Sequence, residues 1–183
     1  MRVIIWAFCW LLLVINAGFA STSKTLKDQT TTKSPVSANV PSLDYKQQDD
    51  TFWRRTLSAD LYKICREHGS EPADSGVYNK FIGDGIYYCA CCGGEHPIYS
   101  SAAKYDAGTG WPSFWQPYDA NSVEYVQDRR LLKQLLGTAT EVICKRCGSH
   151  LGHRYDDGPR DKTGKRHSIN SLALKFIETK LEQ

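Results

Sequence analysis

Two cysteine pairs constrain this chain more than any other feature. Cys89-Ala-Cys-Cys92 and Cys144-Lys-Arg-Cys147 have the same spacing, and a glycine follows each, at Gly93 and Gly148. A turn so spaced aims two sulfurs at one point. Two such knuckles complete a tetrahedral set of thiolates around zinc, with bonds of ~2.3 Å and no coordination position left open. The zinc predicted from Cys89, Cys92, Cys144 and Cys147 is therefore structural, and it obliges two segments far apart in sequence to meet. Disulfides are the alternative, because an even set of cysteines outside the cell usually pairs. Cys91 is read as a bystander between two ligands. Cys65 is read as a buried, inert thiol.

The extracellular setting is itself an expectation. Residues 1–20, "MRVIIWAFCWLLLVINAGFA", run from one arginine through an apolar stretch to small residues. That is the layout of a secretory signal cleaved after Ala20, which would carry Cys9 away. The competing membrane anchor needs about 20 apolar residues, and Asn16 interrupts the run too early. Residues 21–50 are rich in Ser, Thr, Lys, Gln and Asp, so they bury too little surface to offset ordering and are expected to form a flexible tail. The folded domain is assigned to 51–183, and a secreted protein or one in the secretory lumen is expected. Its net charge of +3 is small and scattered, which argues against nucleic acid as a partner. A monomer is expected.

Within the domain, Phe52, Trp53, Leu57, Leu61, Ile64 and Cys65 recur at roughly helical spacing. A short helix is predicted from Ser58 to Arg66, stopped by Gly69. "GSEPADSGVYNKF" reads as a loop before an edge strand. "GIYYCACCGG" and "TEVICKRCGSHLGHRYDDGP" each place a strand directly before a knuckle, and "RHSINSLALKFIE" reads as one or two strands. Short strands and many turns predict a mainly antiparallel β fold.

Two further stretches carry chemistry. "SHLGH" sets His150 and His153 three residues apart. Spacing leaves three readings open: metal ligands, acid–base groups, or surface histidines. An imidazole can hand on a proton at neutral pH, which keeps the second reading alive. "GTGWPSFWQPY" holds Trp111, Phe114, Trp115 and Tyr118. Such a turn packs a core corner or lines a pocket for an apolar group, and the core reading is favoured. A thioether or its oxide would suit such a pocket, since sulfur contacts rings favourably at ~5 Å.

Taken in order, "GSEPADSGVY", "YYCACCG", "KYDAGTGWPSFW", "CKRCGSHLGHRYDDGP" and "RHSINSLALKF" resemble the methionine-R-sulfoxide reductase B family over most of Leu57 to Phe176. The resemblance implies two antiparallel sheets with a few short helices and a structural zinc away from the active site. It implies protein repair under oxidative stress, in which methionine-R-sulfoxide in proteins is reduced to methionine. A thiolate attacks the sulfoxide sulfur, becomes a sulfenic acid, and is recycled by thioredoxin or a small thiol. By the same resemblance, Trp111 would cup the sulfoxide methyl group and His150 and His153 would bind and protonate the oxygen. Asn170 and Arg166 would order the site and favour the thiolate.

The family's nucleophile falls at Ser168, and its common resolving cysteine at Thr109. A serine is scarcely ionised at neutral pH, and its oxygen has no sulfenic acid to form. Three accounts of Ser168 remain, with natural replacement placed first, ahead of an altered sequence and of another thiol doing the work. Two functions stay open: a reductase, or a zinc-containing module that binds oxidised methionine segments without turning them over.

Overall fold

The computed structural model describes residues 43–127 and 139–179, all within the unit Pro41–Gln183. The expected leader and residues 21–42 of the expected tail lie outside the described residues. Residues 43–50, also assigned to the tail, include a 3₁₀ turn at Tyr45–Gln47 and the start of a helix. Tyr45 stacks on Trp53 with ring centroids 6.1 Å apart, so an aromatic contact draws ordered structure back beyond the expected boundary.

Two short helices follow. α1 (Asp50–Thr56) is capped by Asp49, whose carboxylate accepts the Phe52 N–H at 2.8 Å. α2 (Ala59–Cys65) is capped by Ser58, whose hydroxyl accepts from Leu61; both satisfy amides that a helix start leaves unpaired. α2 matches the predicted helix closely, but His68 rather than Gly69 takes the left-handed backbone, at φ +56°. Gly69 serves by close approach instead: its N–H reaches the Lys63 carbonyl at 3.0 Å, where a side chain would crowd that oxygen.

The strands are β1 (Gly85–Cys89), β2 (Pro97–Ser100), β3 (Lys104–Tyr105), β4 (Ser113–Phe114), β5 (Val123–Gln127), β6 (Thr140–Cys144), β7 (His150–Tyr155), β8 (Arg166–Ile169) and β9 (Leu174–Glu178). They form a three-stranded sheet, β2-β1-β9, and a six-stranded sheet, β3-β4-β8-β7-β6-β5, with antiparallel pairing throughout. The mainly β expectation is met. The edge-strand expectation is not: β1 lies at the centre of its sheet, because β9 returns from the end of the domain and pairs along its whole length.

Between the sheets lies a core that includes Tyr87, Ile98, Tyr99, Phe114, Leu151 and Ile169, all buried. Tyr99 stacks on Phe114 at 4.2 Å and 11°, an arrangement worth about 1 kcal/mol beyond the area it buries. The aromatic turn thus divides its work, with Phe114 in the core and Trp111 only partly buried. β8 is held between β4 and β7, and Ser168 stands opposite Ser113 on one side and His153 on the other.

Candidate active site and metal centre

The two knuckles terminate strands from different sheets: Cys89 ends β1 and Cys144 ends β6. Their four sulfurs are buried and lie within 4.8 Å of one another. Cys89 Sγ is 3.8 Å from Cys147 Sγ, and Cys92 Sγ is 3.9 Å from Cys144 Sγ. Tetrahedral thiolates bonded at ~2.3 Å stand roughly 3.8 Å apart, so these residues fit zinc without rearrangement. A cation there would clamp one sheet to the other.

Cys65 and Cys91 are bonded to each other as a disulfide, while the four knuckle cysteines are free. This corrects the reading of Cys65 as a free thiol and of Cys91 as a bystander. The end of α2 packs beneath the first knuckle, and Cys91 points toward it rather than toward the ligand set. Cys65 is bonded and 1% exposed, and it does not line the cavity that holds Ser168.

The candidate site is a cavity of about 220 Å³ that brings together Trp111, His150, His153, Ser168 and Asn170, with the more exposed His68 also lining it. In a regular strand, residues three apart point to opposite faces, which would separate His150 from His153. The register between β6 and β7 shifts here: Ile143 pairs with His150 and Val142 with Gly152, leaving Leu151 as an extra residue. That bulge re-aims the strand and returns both imidazoles to one face, with ring centroids 5.3 Å apart. Gly152 is needed because a side chain there would collide with the Ser168 carbonyl on β8.

Asn170 is fixed on both sides. Its Nδ2 donates to the Leu151 carbonyl at 3.0 Å, and its Oδ1 accepts the Glu71 N–H at 3.0 Å. The Glu71 carbonyl accepts from Trp111 Nε1 at 3.2 Å, tying the indole to the same loop. The buried Glu71 carboxylate accepts the N–H groups of Ser171 and Leu172 at 2.6 and 3.0 Å. Glu71 therefore organises the pocket wall, a role its place in a polar loop did not reveal.

Arg166 is buried but does not line the cavity. Its guanidinium donates to both oxygens of Asp157, at 2.9 and 2.8 Å, and that bond holds the Asp157 carboxyl below its ordinary range. The pair braces β8 against the loop after β7.

His150 is buried, and its Nδ1 lies 2.7 Å from Glu141 Oε1; His68 Nδ1 lies 2.5 Å from that same oxygen. Burial works to raise the Glu141 pKa, but hydrogen bonds from His150 and His68 outweigh it and bring it down to about 2. His68, Glu141 and His150 also form a second set of potential ligands within 4.8 Å.

Fold and site together describe a two-sheet β protein with a four-cysteine centre and an aromatic, histidine-lined pocket opening on a serine. A family model, the SelR domain, matches residues 57–178. The chain is 47% identical over 136 residues to the mitochondrial methionine-R-sulfoxide reductase B2 of Danio rerio, covering 72% of this chain and 73% of that one. It is 40% identical over 137 residues to the peptide methionine sulfoxide reductase MsrB of Teredinibacter turnerae, covering 75% and 96%. The corresponding protein of Saccharophagus degradans is 41% identical over 133 residues, covering 73% and 94%. The chain belongs to the methionine-R-sulfoxide reductase B family, whose members are peptide-methionine (R)-S-oxide reductases.

Proposed function

We propose that this chain is a secreted member of the family that recognises methionine-R-sulfoxide in proteins but does not turn it over, because Ser168 stands where the attacking thiol belongs. The observation that carries the reading is the convergence of Trp111, His150, His153 and Asn170 on Ser168. Trp111 receives the sulfoxide methyl group against its ring, and His150 and His153 face the oxygen. Asn170, held by Leu151 and Glu71, keeps the loop closed over the end of β8.

The reduction has a fixed balance. A thiolate, the sulfoxide and one proton yield a sulfenic acid and methionine; a second thiol then forms a disulfide and releases water. Serine supplies neither the nucleophile nor the oxidisable atom. The histidines and the indole need no thiol, so binding survives where turnover does not. Zinc on Cys89, Cys92, Cys144 and Cys147 supplies folding energy and takes no part in the reaction.

The test is calorimetric titration of the native chain with three peptides carrying methionine-R-sulfoxide, methionine-S-sulfoxide or methionine. Binding of the R epimer over the other two, lost in Trp111→Ala and without product formation, is expected. Equal binding of all three, or release of methionine comparable with a Ser168→Cys variant, contradicts the proposal.

A further inference from the structure

Glu141 on β6 is a buried carboxylate with two imidazoles on one oxygen. His150 comes from the neighbouring strand β7 and His68 from the loop after α2, where the left-handed backbone and the Gly69 contact with Lys63 hold it in place. Their ring centroids are 5.4 Å apart. The His150 side chain is 2% exposed and that of His68 is 45% exposed, so the carboxylate stands between an interior ring and a solvent-facing one.

A carboxylate accepts hydrogen bonds and donates none. Each Nδ1 must therefore carry a proton and donate it to Oε1. Neutral His150 then has a bare Nε2, and its charged form carries a second proton there. The alternative is a divalent cation bound by two imidazoles and a carboxylate, a known ligand set. Distances decide between them: 2.5 and 2.7 Å are charge-assisted hydrogen-bond spacings. Ligands at right angles around a cation with bonds of about 2.1 Å would stand about 3.0 Å apart.

We propose that Glu141 is a positioning residue for the sulfoxide pocket: it fixes His150 with its proton on Nδ1, which presents Nε2 as the atom that exchanges a proton with the substrate oxygen, while His68 braces the carboxylate from the solvent side. This rests on the pocket reading above. In the Ser168→Cys form, as the thiolate bonds to the sulfoxide sulfur, the proton leaves charged His150 from Nε2 for the oxygen, which passes to the cysteine as sulfenic acid while methionine is released. The ring is left neutral, still donating from Nδ1 to Glu141.

Two readouts test it. The first needs no turnover: long-range ¹H–¹⁵N correlation spectra of the labelled full chain assign the His150 tautomer. Native protein is expected to show a protonated Nδ1. Glu141→Leu should lose that preference, and Glu141→Gln, which keeps an acceptor oxygen, should retain part of it. A native His150 protonated on Nε2, or a tautomer unchanged in Glu141→Leu, overturns the proposal.

The second readout uses the Ser168→Cys background, where Glu141→Leu should lower kcat on the order of ten- to a hundredfold with KM within about twofold. His68→Ala, at an exposed position, should lower kcat by roughly threefold. Unchanged kcat in both, or uptake of a second zinc equivalent that Glu141→Leu abolishes, also overturns the proposal. If Ser168→Cys has no turnover, the pocket reading fails, while the spectra still decide the role of Glu141.

Discussion

Acidification should weaken this domain well before carboxylates titrate, and His167 is the reason. It lies on β8 beside Ser168, is buried, and has Nδ1 2.9 Å from the Tyr99 hydroxyl. Burial, reinforced by the charge of Arg154, pushes its pKa down to about 4. An unfolded histidine titrates near ~6.5. Because the folded value is depressed, the unfolded state binds more protons between these values. The contribution is complete above pH 6.5, declines as pH falls, and is gone below about 4. A gap of about 2.5 units corresponds to roughly 3 kcal/mol. Urea unfolding of native protein and His167→Phe at pH 7, 6, 5 and 4 measures it. The variant loses the Tyr99 partner and should start about 1–2 kcal/mol less stable. The difference between the proteins should then swing by about 3 kcal/mol in the variant's favour by pH 4. Metal release and carboxylate titration act on both proteins and drop out of the comparison. Parallel stability curves across this range would show that His167 is not the group responsible.

Three structural predictions follow from the same contacts. Stripping metal with a chelator, or changing Cys144→Ala, should unfold the domain, since structural zinc contributes on the order of 10 kcal/mol in small metal-dependent folds. An unchanged melting temperature after verified removal counts against the zinc assignment. Cys65→Ser combined with Cys91→Ser should cost about 3 kcal/mol in urea, given a sequence separation of 26 residues between the joined cysteines and the entropy of closing such a loop. A loss near zero, or mass spectrometry showing Cys65 and Cys91 as free thiols, would argue against the disulfide. Glu71→Ala strands the buried N–H of Ser171 and frees the part-buried one of Leu172, which should cost roughly 1–3 kcal/mol; wild-type stability in this variant would contradict its organising role.

What could be read from the chain was mostly local. The knuckle spacing, the short helix after Leu57 and the strand before each knuckle are short-range patterns, and the structure contains all of them. What escaped depends on contacts across sequence. His68 and Glu141 are 73 residues apart, and Glu71 and Ser171 are 100 apart. Nothing within either partner's own segment marks the pairing. The bulge at Leu151 is subtler: an i, i+3 histidine pair on a strand reads as two faces, and only the register against β6 shows that it is one. Cys91 was obscured by its neighbours, because adjacent ligands made it look like part of their turn. The Arg166–Asp157 pair is likewise not marked in the sequence, because a loop separates the two residues.

In the proposed function, one atom at position 168 separates this pocket from turnover. The direct measurement is methionine production from a peptide carrying methionine-R-sulfoxide, with dithiothreitol as reductant, by the native chain and by Ser168→Cys. Turnover is expected from the cysteine form and none above the protein-free control from the serine form. Comparable turnover by both would contradict the claimed loss of activity, and turnover by neither would contradict the assignment of the pocket.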